Sequence, residues 1–74
     1  KMTELEYLDL SKNKIDSIPK EIAKLKNLRV LIISKNKVKK IPVELYGLKN
    51  LKILDLSSND ISTFLNNFRI APIL

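Results

Sequence analysis

A repeat of 23 residues constrains this chain more than any other feature, because it calls for a stack of similar units. Leu5, Leu28 and Leu51 stand 23 residues apart, and the positions after each of them agree column by column. Twelve of the 23 positions are identical between the first two units. The repeat divides the chain into three units and the tail of a preceding one: residues 5–27, 28–50 and 51–73, and residues 1–4.

Each unit has two halves with different apolar periods. The segment Leu8-Asp9-Leu10 alternates, which predicts a strand with one buried face. From Pro19 to Leu25 the apolar residues stand three apart, which predicts a short helix with proline in its first turn. One unit cannot bury its own apolar face, so the units must stack on one another. The predicted strands lie near residues 7–10, 30–33 and 53–56.

The order of residues in each unit resembles a leucine-rich repeat, with the pattern L-x-x-L-x-L-x-x-N-x-I-x-x-I-P-x-x-I-x-x-L-x-x. The resemblance covers nearly the whole chain. It implies an α/β fold, a segment of a solenoid with a parallel sheet on the concave side and short helices on the convex side. The 23-residue length with a central proline is similar to the intracellular Ras-group and plant-intracellular type of this repeat.

An asparagine column follows the strands at Asn13, Asn36 and Asn59. The resemblance implies that these side chains point inward and bond backbone groups of their own and neighbouring units as a ladder. A chain that bends out of a strand leaves buried backbone groups in need of partners, and asparagine offers both donors and an acceptor. We therefore expect this column to be structural rather than catalytic.

Residues that alternate with the buried leucines form rows across the outer face of the sheet. The first row is Tyr7, Val30 and Ile53, and the second is Asp9, Ile32 and Asp55. We name the four apolar residues of these rows the apolar strip: Tyr7, Val30, Ile32 and Ile53. Beside it stands a set that we name the lysine cluster: Lys12, Lys14, Lys35 and Lys37.

An apolar surface with a charged rim is typical of a protein-binding face, although β-branched residues also favour strands for their own sake. The sequence therefore predicts a protein–protein interaction module of scaffold type. The predicted partner-binding residues are Tyr7, Asp9, Val30, Ile32, Ile53 and Asp55, with Lys12, Lys35 and Lys37 setting orientation and association rate.

Two other functions stay open at this stage. The chain could be a structural spacer or capping segment of a longer solenoid without a ligand of its own. Its basic patch could instead contact RNA or an anionic lipid, since the formal net charge is +6. Nucleic acid is disfavoured, because no RNA- or DNA-binding motif is present and four aromatic residues offer little stacking surface.

An enzyme is not expected. The chain has no Cys and no His, so the usual nucleophiles, bases and zinc ligands are missing, and we predict no metal and no cofactor. The single glycine, Gly47, excludes a glycine-rich phosphate loop. Asp9 and Asp55 would lie two strands apart, about 9–10 Å, on an open face with Ile32 between them.

We expect a cytoplasmic, intracellular protein that does not span a membrane. No run of about 18 apolar residues occurs, and the first six residues contain no apolar signal core. The lack of Cys also favours the intracellular assignment.

The ends indicate a segment of a larger repeat protein or assembly, with neighbouring repeats on either side. Met2 is already in register with Leu25, and Leu74 follows Leu51 by one period. The third unit departs from the pattern. It has Leu65 where the other two units have proline, and Phe68 where they have isoleucine or leucine. It is either a degenerate cap or one more ordinary unit.

Overall fold

Three short parallel strands form one sheet in the computed structural model, which describes residues 2–62 and 70–74. The strands are β1 (Tyr7–Asp9), β2 (Val30–Ile32) and β3 (Ile53–Asp55), and they neighbour one another in chain order. The register pairs Leu8 with Leu31, and Leu31 with Leu54, so neighbouring strands are offset by the 23-residue period. The three predicted strands are confirmed, each one residue shorter than the pattern indicated.

The helical half of each unit consists of 3₁₀ turns. In the first unit, the N–H groups of Ile22, Leu25 and Leu28 donate in succession to the carbonyls three residues earlier, each at 3.1 Å. The apolar spacing of three is therefore the spacing of the hydrogen bonds themselves, which is the 3₁₀ geometry. The helical segments are Met2–Glu4, Lys20–Lys24 and Val43–Gly47.

The predicted helices thus need two corrections. They are 3₁₀ rather than α, so the α/β class holds only in the coarse sense of strands alternating with helical turns. Pro19 lies immediately before its helix, with φ −68° and ψ 143°, and not inside the first turn. The Pro19 carbonyl accepts the hydrogen bond from the Ile22 N–H that begins the helix. A proline suits this position, because the helix needs its carbonyl but not an N–H.

The core lies in the middle of the stack. Leu28, Leu31 and Leu51 are completely inaccessible to solvent, whereas Leu5 and Leu8 of the first unit are half-buried. A unit covered on both sides is dry, and one covered on a single side keeps part of its apolar surface exposed. The central unit is therefore the unit whose leucine core is most completely buried.

The described C-terminal segment adds a fourth position to the sheet. Ile73 pairs with Asp55 in a parallel bridge, and its carbonyl accepts the N–H of Leu56 at 2.7 Å. Ile73 follows Asp55 by 18 residues, which is five fewer than the 23-residue period. Leu74 is 64% exposed. The bounds of the third unit stay a prediction, since Leu65 and Phe68 lie outside the described residues.

Candidate functional site

The apolar strip lies on the outer face of the sheet. Tyr7 is 58% exposed and Ile53 is 47% exposed, and each pairs in register with Val30 of the central strand. Val30 and Ile32 are half-buried, while Leu31 between them is buried in the core. The alternation therefore separates one accessible apolar row from the dry interior, as the sequence indicated.

The two aspartates of the second row have a local structural task. Asp9 Oδ1 accepts the backbone N–H of Ser11 at 2.9 Å. Asp55 Oδ1 accepts the N–H of Ser57 at 3.0 Å and its hydroxyl at 2.7 Å. All three bonds span two residues, and they form the turns that take the chain out of the strands. These residues were predicted to bind a partner, and the Asp-x-Ser spacing is the sequence signal of their turn.

The charge of Asp9 is stabilised by the same turn. Hydrogen bonds from the side chain and backbone of Ser11 hold the pKa of Asp9 below its ordinary value of 3.8, and the positive charge of Lys12 acts in the same direction. Desolvation raises the pKa of Asp9 and is outweighed by the hydrogen bonds from Ser11. Asp9 is therefore a turn-forming carboxylate, ionised at neutral pH.

The central unit breaks this pattern. Ile32 stands in the row between Asp9 and Asp55, and it has no oxygen with which to accept the N–H of Ser34. A turn bond that both flanking units make is replaced here by a half-buried aliphatic side chain. Ile32 is thus the residue of the row whose presence the turn geometry does not explain.

The lysine cluster stands on the turns that leave the strands. Lys12 and Lys35 occupy the left-handed region, with φ of 61° and 57°, as does Ser58 in the third unit. The backbone N–H of Lys12 donates to the carbonyl of Ser34, and that of Lys35 to the carbonyl of Ser57, each at 3.0 Å. A left-handed conformation costs a residue with a side chain about 1–2 kcal/mol. Lys14 also adopts the left-handed conformation, with φ of 56°. Every lysine of the cluster is exposed.

Beneath the turns, asparagine side chains join neighbouring units. Asn36 is buried, its Nδ2 donates to the carbonyl of Leu10 at 3.0 Å, and its Oδ1 accepts the N–H groups of Asn13 and Ile15 at 2.9 Å. Asn59 repeats the arrangement one unit later, where its Oδ1 accepts the N–H of Val38 at 3.0 Å. These bonds fix the turns that present the lysine cluster.

A second asparagine pair holds the opposite ends of the strands, and sequence analysis did not single it out. Asn27 Nδ2 donates to the carbonyl of Thr3 at 3.0 Å, and Asn50 Nδ2 donates to that of Lys26 at 3.1 Å. The shared Leu-Lys-Asn ending of the first two units was its signal. Arg29 lies exposed beside this pair, in the position just before β2.

Comparison with known families agrees with this architecture. A family model described as leucine rich repeat matches residues 2–66, which is most of the chain. The chain belongs to the leucine-rich repeat family. Leucine-rich repeats generally mediate protein–protein interaction and are typically non-enzymatic. Comparison with curated proteins gives no match.

Residues 2–62 and 70–74 contain no group of three or more acidic, Cys or His side chains arranged to hold a metal ion. Within the same ranges, no helix has the length and apolar character needed to cross a membrane.

Proposed function

We propose that this leucine-rich repeat binds a protein partner through the face formed by the apolar strip, with Val30 and Ile32 at its centre. The single observation that carries the proposal is Ile32, a half-buried aliphatic side chain at a position where both flanking units carry a turn-forming aspartate. Aliphatic residues at the centre of a surface patch and charged residues at its rim are the usual anatomy of a protein interface.

The residues around this centre have supporting roles in the proposal. Tyr7 and Ile53 extend the contact to either side, and Lys12, Lys35 and Lys37 orient the partner and raise its association rate. Asp9 and Asp55 contribute mainly by holding their turns, since their Oδ1 atoms already accept hydrogen bonds. The chain acts as a binding and scaffold segment with no cofactor, and it performs no catalysis of its own.

The setting of the segment is part of the same proposal. We place it in an intracellular protein of the Ras-group or plant-intracellular repeat type, within a curved solenoid whose concave face carries the apolar strip. The half-buried Leu5, Leu8 and Ile15 leave apolar surface that a neighbouring repeat would cover. The same surface favours the second candidate function, a structural spacer or cap whose ligand is the next repeat alone.

Affinity capture from a cytosolic extract tests the proposal. The wild-type chain is compared with Val30→Asp/Ile32→Asp and with Val43→Asp, which adds the same charge at a 63% exposed valine on a 3₁₀ helix away from the sheet. Circular dichroism first establishes that all three are equally folded. Tyr7→Ser, at an exposed position, replaces the double variant if that variant unfolds.

The proposal predicts a protein that is retained by the wild type and by Val43→Asp but is lost from the strip variant. Equal capture by all three, or none by any, contradicts it and favours the structural spacer. Retention of RNA or anionic lipid that disappears as salt is raised would favour the electrostatic alternative.

A further inference from the structure

The positive charge of the chain is concentrated in the central unit. Residues 28–50 contain six basic residues and one acidic residue, Glu44, which gives this unit +5 of the chain's +6. Glu44 belongs to the 3₁₀ helix Val43–Gly47, away from the strands. The sheet side of the central unit thus carries no carboxylate of its own, and this is also the unit in which Ile32 replaces aspartate.

Cations lie at both ends of the central strand. Arg29 stands just before β2, and Lys35 and Lys37 follow it on the turn, all three exposed. No ion pair involves Lys35 or Lys37 within residues 2–62 and 70–74. Val30 and Ile32 are therefore bracketed along the strand by positively charged side chains, with Arg29 at one end beside Glu6 and Lys35 and Lys37 at the other.

The positions of two lysines come at a conformational cost. Lys12 and Lys35 are held at positive φ, where glycine or asparagine would fit more easily. They lie in the same column of neighbouring units, whose parallel strands are roughly 4.8 Å apart. Strain at a position whose side chain faces solvent is a reason to seek a function for that side chain.

We propose that the partner is an acidic polypeptide segment with an apolar anchor, seated on the central unit. The anchor packs on Val30 and Ile32, and flanking carboxylates pair with Lys35 and Lys37 at one end of β2 and with Arg29 at the other. This inference rests on the proposed function and adds the chemistry of the ligand. It uses the local charge complementarity that gives an interface its specificity.

A polypeptide fits this surface better than a nucleic acid or a membrane. The centre of the patch is aliphatic, whereas single-stranded nucleic acid is held by stacking on aromatic side chains. Asp9 and Asp55 stand on either side of Ile32. Their carboxylates would repel a continuous line of phosphates, whereas a polypeptide can place an uncharged residue beside them. Binding by phosphate-bearing ligands is therefore the competing outcome of the test.

Selection from a displayed library of random peptides tests the chemistry directly. The full 74-residue chain is the bait, and selected peptides are measured against Val30→Asp/Ile32→Asp, Lys35→Glu/Lys37→Glu and the control Lys20→Glu/Lys24→Glu. The control makes the same charge change at exposed lysines of a 3₁₀ helix. Single-stranded polyuridine and phosphatidylserine vesicles are measured in parallel.

Peptides enriched in Asp and Glu around an aliphatic or aromatic residue support the inference. We expect them to bind the Lys35→Glu/Lys37→Glu variant at least about tenfold more weakly and the control variant equally well. Replacing the acidic residues of such a peptide with lysine should restore its binding to the reversed variant.

Three outcomes overturn the inference. Neutral or basic peptides that still require Val30 and Ile32 would refute the acidic partner and leave the proposed function intact. Absence of any peptide that requires these two residues would refute both proposals together. Tighter binding of polyuridine or of the vesicles than of any selected peptide, with loss in the Lys35→Glu/Lys37→Glu variant alone, would assign the lysines to phosphate.

Discussion

Asn36 Nδ2 donates a hydrogen bond of 3.0 Å to the carbonyl oxygen of Leu10, which lies 26 residues earlier in the chain. The same side chain accepts two backbone N–H groups of the first unit through Oδ1. One buried amide thus provides an acceptor for two backbone N–H groups of the neighbouring turn, which need partners inside the fold. This connection holds the turn bearing Lys12 against the turn bearing Lys35.

We predict that Asn36→Ala lowers the free energy of unfolding by about 1–3 kcal/mol, because it leaves buried backbone groups without partners. Asn13→Ala is the matched control, since Asn13 is exposed and its Nδ2 bonds carbonyls of its own turn. Urea denaturation followed by circular dichroism measures both. An unchanged denaturation midpoint for Asn36→Ala would show that this column does not join the units.

Lys35→Gly is predicted to stabilise the fold. Relief of the left-handed conformation returns about 1–2 kcal/mol, which exceeds the roughly 0.5–1 kcal/mol that glycine loses in chain entropy. Lys37→Gly removes the same charge two residues away at a position without positive φ, so it should destabilise slightly. Thermal melts of the two variants under the same conditions decide the matter, and a lower Tm for Lys35→Gly than for Lys37→Gly would contradict the prediction.

We predict that the loss of folding stability at acidic pH depends in part on Asp9. A pKa held below 3.8 in the folded chain means that the carboxylate stabilises the fold above that pH and loses this effect as the pH falls through the folded-state pKa. Asp9→Asn keeps an oxygen for the Ser11 N–H but does not titrate. The stability advantage of the wild type should therefore shrink below about pH 4, as measured by denaturation between pH 2 and pH 6, with Asp16→Asn as control. If the free energy of unfolding depends on pH in the same way for wild type and Asp9→Asn, this prediction is wrong.

Ile32→Asn should retain the fold, because an asparagine oxygen at this position can accept the N–H of Ser34 as Asp9 accepts that of Ser11. Val30→Asn is the comparison, since the residue two positions later belongs to the strand and cannot form this turn. We expect Ile32→Asn to be less destabilising than Val30→Asn by about 1 kcal/mol. Urea denaturation gives the difference, and the reverse order would show that Ile32 is needed for stability.

The period alone was enough to predict the strands, the buried leucines and the outward rows. Apolar columns such as Leu8, Leu31 and Leu54 repeat at a spacing that one stacked architecture satisfies. The type of helix was harder to predict, because a spacing of three over five residues suits both a 3₁₀ turn and a short α-helix.

The details of the candidate site were less accessible from the sequence. The bonds from Asp9 to Ser11 and from Asp55 to Ser57 depend on how the chain leaves each strand. The positive φ of Lys12 and Lys35 is a property of the turn backbone, and the lysine residue type gives no local sign of it. The shortened step from Asp55 to Ile73 departs from the period that the sequence shows elsewhere.

The most direct test of the central claim is the equilibrium affinity of the captured partner for Val30→Asp compared with Val43→Asp. Both variants add one negative charge in place of one valine, the first on the apolar strip and the second on the helix away from the sheet. The account predicts that Val30→Asp weakens the Kd at least about tenfold and that Val43→Asp leaves it within about twofold of wild type. Equal affinities for the two variants would contradict recognition through the apolar strip.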